Sequence, residues 1–552
     1  MVRRLTDPAI MKFLFTALIF ITGQPGECQE KTWNYFYRIH LTDKGENEIS
    51  GFAPEELLSR KAIERRNKAG IEVPDFRDIP VWQGYIDRIR SMGLSLHCTS
   101  RWMNTALFKS SDPFETGELT VLPFVKKVEI VKKPETKGET RRKNEIIVNL
   151  TDQPPYNNPL SMINGISVLN SNFSGKGILI AVIDGGFANA GIIPALDHLR
   201  DRKGIKGTYD FLNNNEYVYD FHNHGTAVLS VLAGMIEGMM EGSAPGADYL
   251  LLRSEDTDSE YPVEEDTWTA AAEFADSSGA DIITSSLGYY TFDDPSMDYQ
   301  FEDMDGDRAF ITRAADIAAS KGILVVNSAG NERNMAWKRI IAPSDGDSVL
   351  AVGAVRSNST ISSFSSAGPS ADRQVKPDIV AQGVGVTVQI SPNLIHMADG
   401  TSFSCPVISG ICACIMQAVP RASNMDIISA LHSSSDRYLV PDSLYGYGIP
   451  DIKKTIAILQ DKYLPKPAGE IVVFPNPFRD EIKINFSEIP EWLSVEIYDQ
   501  TGKQMMKRIY RDFVSRSLTL DNLTFRGKGL YFVRVITPDT AITHRIIKTV
   551  GP

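Results

Sequence analysis

Asp184, His224 and Ser402 are a carboxylate, an imidazole and a hydroxyl, each set in a short glycine-bearing motif. A hydroxyl becomes a nucleophile near neutral pH only beside a base, and that base needs a carboxylate to hold its tautomer. Taken singly, each residue has an ordinary explanation. Asp184-Gly185 is a common turn, His224-Gly225 is a chance adjacency, and Ser402 at a helix start is an N-cap. Their order along the chain says more. Three arrangements of such a triad are known, and Asp…His…Ser is one of them. The Ser…Asp…His arrangement carries G-x-S-x-G at its nucleophile, whereas Gly400-Thr401-Ser402-Phe403-Ser404 lacks the second glycine.

These side chains need a scaffold, and the pattern between them supplies one. Ile178–Ile183, Tyr249–Leu252, Asp281–Ser285, Ile323–Asn327 and Val349–Val352 read as apolar strands. Gly225–Met235, Arg308–Ala319 and Cys405–Val419 read as helices. Near-continuous apolar strands separated by helices imply a parallel sheet covered on both faces. Asp184 then stands at the carboxyl end of a strand, where open α/β sheets place their sites. Asn331, after Ala329-Gly330, is a turn former by default, yet its amide is also the donor a tetrahedral oxyanion requires.

Outside this block the pattern changes. Residues 31–143 mix strand-like runs (Tyr35–Leu41, Leu94–Cys98) with a charged helical stretch, Pro54–Lys68, and end in the basic run Lys132–Lys143. Beyond the linker Leu464–Gly469, apolar Leu493, Val495 and Ile497, and later Tyr531, Val533 and Val535, alternate along the chain as in an antiparallel β-sandwich. Near the start, Lys12 precedes the apolar run Phe13–Ile21, a secretory-signal pattern for which Met11 is the better initiator. That run is too short to span a bilayer, and no transmembrane span is expected. The formal net charge of −12 argues against a nucleic-acid partner. Of five cysteines, Cys405, Cys412 and Cys414 fall in one apolar run and read as buried free thiols.

The segments Ala181-Val182-Ile183-Asp184-Gly185-Gly186, Asn223-His224-Gly225-Thr226-Ala227, Ser285-Ser286-Leu287-Gly288, Ala329-Gly330-Asn331-Glu332 and Gly400-Thr401-Ser402-Phe403-Ser404-Cys405-Pro406 resemble those of the subtilases over about residues 165–460. The resemblance implies a subtilisin-like parallel sheet sandwiched by helices and a secreted serine endopeptidase. In it Asp184, His224 and Ser402 would be the triad, Asn331 the oxyanion donor, and Ser286, Leu287 and Gly288 a peptide-binding strand. Many relatives carry a small Ser or Thr where this chain has Cys405. The flanking blocks resemble an α+β inhibitory propeptide and, through Phe474-Pro475-Asn476-Pro477-Phe478 and Gly527–Val535, the C-terminal sorting domain of type IX secretion in Bacteroidetes.

The implied organisation is a signal peptide at 1–28, a propeptide at 29–143, a peptidase domain at 144–462 and a sorting domain at 463–552. The implied partners are protein or peptide substrates, the chain's own propeptide and the type IX machinery. The implied location is secreted or on the cell surface, beyond the outer membrane. No cofactor is required by such chemistry.

Two acidic segments remain. Asp303, Asp305 and Asp307 resemble the start of a calcium loop, which makes calcium a candidate structural ion, although Ala314 stands where an EF-hand needs its acidic ligand. The run Glu255–Asp266 reads as a solvated loop; at the rim of a cleft it would favour basic substrates.

Overall fold

The computed structural model describes residues 34–134, 147–149, 158–467, 469–521, 523 and 527–549. The expected signal segment, the Met11 start and residues 135–143 of the basic run lie outside them.

Seven parallel strands form the central sheet: β1 (Leu179–Asp184), β2 (Ile205–Asp210), β3 (Asp248–Arg253), β4 (Ile282–Ser285), β5 (Leu324–Ser328), β6 (Val349–Val355) and β7 (Ile379–Gln382). Their order across the sheet is β7-β6-β5-β4-β1-β3-β2. Neighbours are in parallel register, as in Ile180 opposite Tyr249 and Ile282. Because β1 lies between β3 and β4, the strand order reverses at its edge with β4. The crevice at such a reversal is where open α/β sheets bind ligands.

Successive residues of a strand face opposite sides, so each strand feeds two cores. Ile180, Val182, Leu251 and Val326 enter one, against α1 (His224–Ala233) and α4 (Thr401–Ala418). Ala181, Ile183, Leu252 and Val325 enter the other, against α2 (Val263–Ser278) and α3 (Phe310–Ser320). The expected layered parallel sheet is present.

Several boundaries move. The helix expected from Cys405 begins four residues earlier at Thr401, and the one expected from Arg308 begins at Phe310. The stretch Pro54–Lys68 is two helices, Pro54–Leu57 and Arg60–Ala69, because Ser59 is extended and caps the second by accepting from the Ala62 N–H. Nor is Glu255–Asp266 uniformly a solvated loop. Glu264, Glu265 and Asp266 form the first turn of α2 and are buried, at the helix end whose dipole favours carboxylates.

The N-terminal block is a four-stranded antiparallel sheet, in the order 95–100, 105–110, 35–41, 125–132. It packs on α2 and α3 through buried ion pairs. Arg38 lies 3.7 Å from the Phe310 ring centre; its single Nε–H is shared between the two Asp266 oxygens, each at 2.9 Å, and its Nη2 donates to Oδ2 at 2.7 Å. Arg65 and Arg66 both bind Asp276, and Lys321 binds Asp75.

The C-terminal block is two antiparallel sheets of three and four strands, as the alternation predicted. It is held against the central block. Val514 is buried in the core beneath α4, and its N–H donates to Ser171 Oγ at 3.2 Å. Gln460 bonds Ser515 Oγ at 2.7 Å and the Arg516 N–H at 2.9 Å.

Removing one member of a buried ionic group strands its partners without solvent, at a cost of about 3–5 kcal/mol. Asp276→Ala, which strands Arg65 and leaves Arg66 with Asp78 alone, is therefore expected to lower the unfolding free energy of the full chain carrying Ser402→Ala by that amount. Urea titration reads it directly, and an unchanged midpoint would refute the buried pairing.

Candidate active site

Asp184 ends β1 with 0% exposure. A buried carboxylate is tolerable only with donors, and Asp184 has them. Its Oδ1 accepts the Gly185 N–H at 2.8 Å, and both oxygens lie 2.9 Å from His224 Nδ1. Burial pulls the His224 pKa down. The charge and hydrogen bond of Asp184, with the charge of Glu255, outweigh it and raise the imidazole above its ordinary value.

The placement of His224 depends on close backbone approach. It is the first residue of α1, and its N–H donates to His222 Nδ1 at 3.2 Å. The next N–H, of Gly225, donates to Gly186 O at 3.1 Å. A Cβ on Gly225 would lie 2.5 Å from that same oxygen. The glycine after the histidine is thus a steric requirement, and His222 supports the backbone of His224.

Ser402 is the second residue of α4 and 8% exposed. It is not the N-cap, which is Gly400. Its Oγ has no hydrogen-bond partner among the described residues. The ring of the adjacent Phe403 lies 6.1 Å from the His224 ring, centre to centre. The helix leaves its first N–H groups without intrahelical acceptors, and their dipoles point toward developing negative charge. Pro406 has no N–H to give Ser402 O, its i−4 acceptor; Ser286 Oγ donates to that oxygen instead, at 3.1 Å.

Asn331 follows β5, after Gly330 at φ +102°. Its Oδ1 accepts from the Thr401 N–H at 2.9 Å and from Thr401 Oγ1 at 3.0 Å. The oxygen is thereby tied to the start of α4, and Nδ2 is left as a donor with no protein acceptor among the described residues. Cys405, one turn into α4, points its thiol at the sheet, 3.6 Å from Ser285 O and Val326 O. Burial pushes its pKa up to about 11, so it is no competing nucleophile. Cys98, Cys405, Cys412 and Cys414 are all free thiols.

Ser286, Leu287 and Gly288 continue β4 past the sheet. Asn327 Nδ2 donates to Leu287 O at 3.0 Å, and Tyr289 pairs with Ala342 through bonds of 2.9 and 3.2 Å. Between these anchors Gly288 has no backbone partner among the described residues, which leaves an edge for an extended chain. Asn327 and Arg253 escape sequence reading. Arg253 ends β3, donates to Gly185 O at 3.0 Å and pairs with Asp210 at 2.9 Å. The available signal was a polar residue closing an apolar strand.

The aspartates of the 303–307 loop do not gather. Arg308 pairs with Asp303 and Asp305, Asp305 Oδ1 accepts from the N–H groups of Asp307 and Arg308, and Asp303 Oδ2 accepts from Gln300. A calcium cage needs about six to eight convergent oxygens, and these donors do not fit one.

This arrangement has relatives. Residues 175–448 match the profile of the Subtilase family. The central part of this chain is a subtilase domain. Ahead of it, residues 36–167 match the peptidase S8 propeptide domain of Bacteroidota. After it, residues 472–549 match the secretion system C-terminal sorting domain, which marks the chain for export as a secreted or cell-surface protein. The subtilase region is 30% identical over 250 residues to the thermophilic serine proteinase of Bacillus sp. (strain AK1), covering 45% of this chain and 55% of that protein. It is 29% identical over 305 residues to subtilisin DY of Bacillus licheniformis, covering 54% and 97%. Against serine protease AprX of Bacillus subtilis the identity is 28%, covering 51% and 67%. The chain thus spans little more than half the length of the first of these relatives and nearly all of subtilisin DY.

The close approach at Gly225 is testable without reference to activity. Overpacking costs about 1–3 kcal/mol, so Gly225→Ala is expected to destabilise the subtilase domain by that amount. Gly51→Ala, where nothing lies within 4 Å, should stay within about 0.5 kcal/mol. Equal denaturation midpoints for the two variants would contradict the contact.

Proposed function

We propose that the mature protein is a serine endopeptidase, with Ser402 as nucleophile, His224 as base and Asp184 as the carboxylate that orients it. The observation that carries this reading is the His224 Nδ1 contact with both oxygens of buried Asp184, at 2.9 Å. With Nδ1 engaged, Nε2 is the nitrogen left to accept a proton.

Ser402 Oγ attacks the scissile carbonyl carbon as its proton passes to His224 Nε2. The oxyanion takes donors from Asn331 Nδ2 and the Ser402 N–H. The C–N bond then breaks, and the leaving amine takes the proton from His224. Water repeats the sequence on the acyl-enzyme and frees Ser402. The substrate lies extended beside Ser286, Leu287 and Gly288, adding a strand by main-chain hydrogen bonds.

The proposed boundaries are a signal peptide to residue 28, an inhibitory propeptide to near Lys143, the peptidase to 462 and the sorting domain beyond, read by the type IX machinery. The reaction uses no cofactor. A structural calcium ion elsewhere would appear as a melting temperature lowered by chelator.

Labelling by a fluorophosphonate probe tests the reading. Wild type should label and Ser402→Ala should not; equal labelling would end the proposal. Asn331→Ala should lower kcat by about 10²–10³ with little change in KM, the usual loss for one oxyanion donor. His224 must be neutral to act. Because its pKa is raised, the acid limb of kcat/KM should lie above the ordinary histidine value of about 6.5. A limb below that value would contradict the assignment.

A further inference from the structure

Glu255, Glu260 and Glu264 bring their carboxylate oxygens within 4.8 Å of one another. Their position ties them to the cleft. Glu255 Oε2 lies 2.9 Å from where a Cβ on Gly185 would be, next to Asp184, and its charge is felt at His224. Glu264 Oε2 faces the hydroxyl of Tyr289, the residue after Gly288, at 3.4 Å. The cluster therefore lies between the triad and the strand along which an extended peptide would run. Three carboxylates so close repel one another, and a cation beside them relieves that repulsion.

A second observation shows which kind of cation this loop takes. Lys132, at the end of the propeptide strand 125–132, is seated on it. Its Nζ donates to Ser259 Oγ at 2.9 Å, lies 3.3 Å from Asp256 Oδ2 and stands 5.5 Å from the centre of the Tyr261 ring. Lys133 pairs with Asp294. The neighbouring Asp293 is bound to Glu260 through the Glu260 N–H, at 2.9 Å. Carboxylate, hydroxyl and aromatic face around an ammonium make a built lysine site, occupied by a peptide of the same chain. The sequence beyond it is also basic, ending in Arg141-Arg142-Lys143.

We infer that the wall formed by Glu255, Asp256, Glu260, Tyr261 and Glu264 selects peptides carrying lysine or arginine beside the Ser286–Gly288 strand, and that Lys132 is its first occupant. The inference rests on the peptidase reading and adds the substrate class. A basic side chain is drawn to the cleft by charge and fixed by hydrogen bonds, so discrimination should weaken with salt.

The test is a set of fluorogenic peptide pairs cut by the matured full-length product, identical except for arginine or uncharged citrulline at each position around the scissile amide. At one or more positions kcat/KM should favour arginine by about tenfold or more. That ratio should shrink at high salt and fall about fivefold or more in Glu260→Gln, with Asp256→Asn as the alternative should that variant not fold. Ratios within about twofold at every position, with both peptides cut, would overturn the inference and leave the peptidase reading standing. Ratios unchanged in both variants would also overturn it, as would a cleavage rate set by added calcium with no preference for arginine. Cleavage of neither peptide, without probe labelling, would instead remove the peptidase reading beneath it.

Discussion

A carboxylate with no exposed surface must be held by donors or give up its charge. Asp184 is held by two, and one of them is the imidazole of His224, the base of the proposed reaction. That single interaction fixes much of the local architecture. The carboxylate must end the strand beside the order reversal of the sheet, so that a crevice opens beyond it. The imidazole must start a helix that approaches the turn after Asp184 closely enough for Gly225 to bond Gly186. Arg253 secures the turn from the neighbouring strand by its bond to Gly185 O. His222 secures the backbone of His224.

The surroundings of Ser402, the proposed nucleophile, are built by exchanging local bonds for distant ones. Pro406 removes the helical donor from Ser402 O, and Ser286 replaces it from the end of β4. Gly400 leaves the start of α4 without a side-chain cap, and Asn331 supplies one from the end of β5. Together the replacements join Ser402 and its neighbour Thr401 to groups that would handle substrate. The 286–288 segment and the Asn331 amide are thus tied to the same helix terminus that carries the Ser402 hydroxyl. An error in any one of these segments would misplace the others.

Much of this was legible because strand periodicity, helix patterning and glycine-bearing motifs are local signals. The order of Asp184, His224 and Ser402 gave the arrangement, and Asn331 came with it. Most of what could not be read depended on partners distant in sequence. Ser402 looked like a cap because the true start of α4 is set by Asn331, seventy residues earlier. Glu264 to Asp266 looked solvated because the propeptide residue that covers Asp266, Arg38, is 228 positions away. Asp303 and Asp305 looked like ligands until Arg308, a neighbour with the opposite charge, took their oxygens. Asn327 and Arg253 gave only the faint sign of a polar residue closing an apolar strand.

The central claim is that Asp184 governs the protonation of His224. The most direct measurement is the titration of the His224 ring by NMR in an uncut Ser402→Ala precursor, with and without Asp184→Asn. The account predicts a midpoint above the ordinary value of about 6.5 with Asp184 present, and a fall once its charge is removed. A midpoint at or below that value, or one that does not move on substitution, would contradict it.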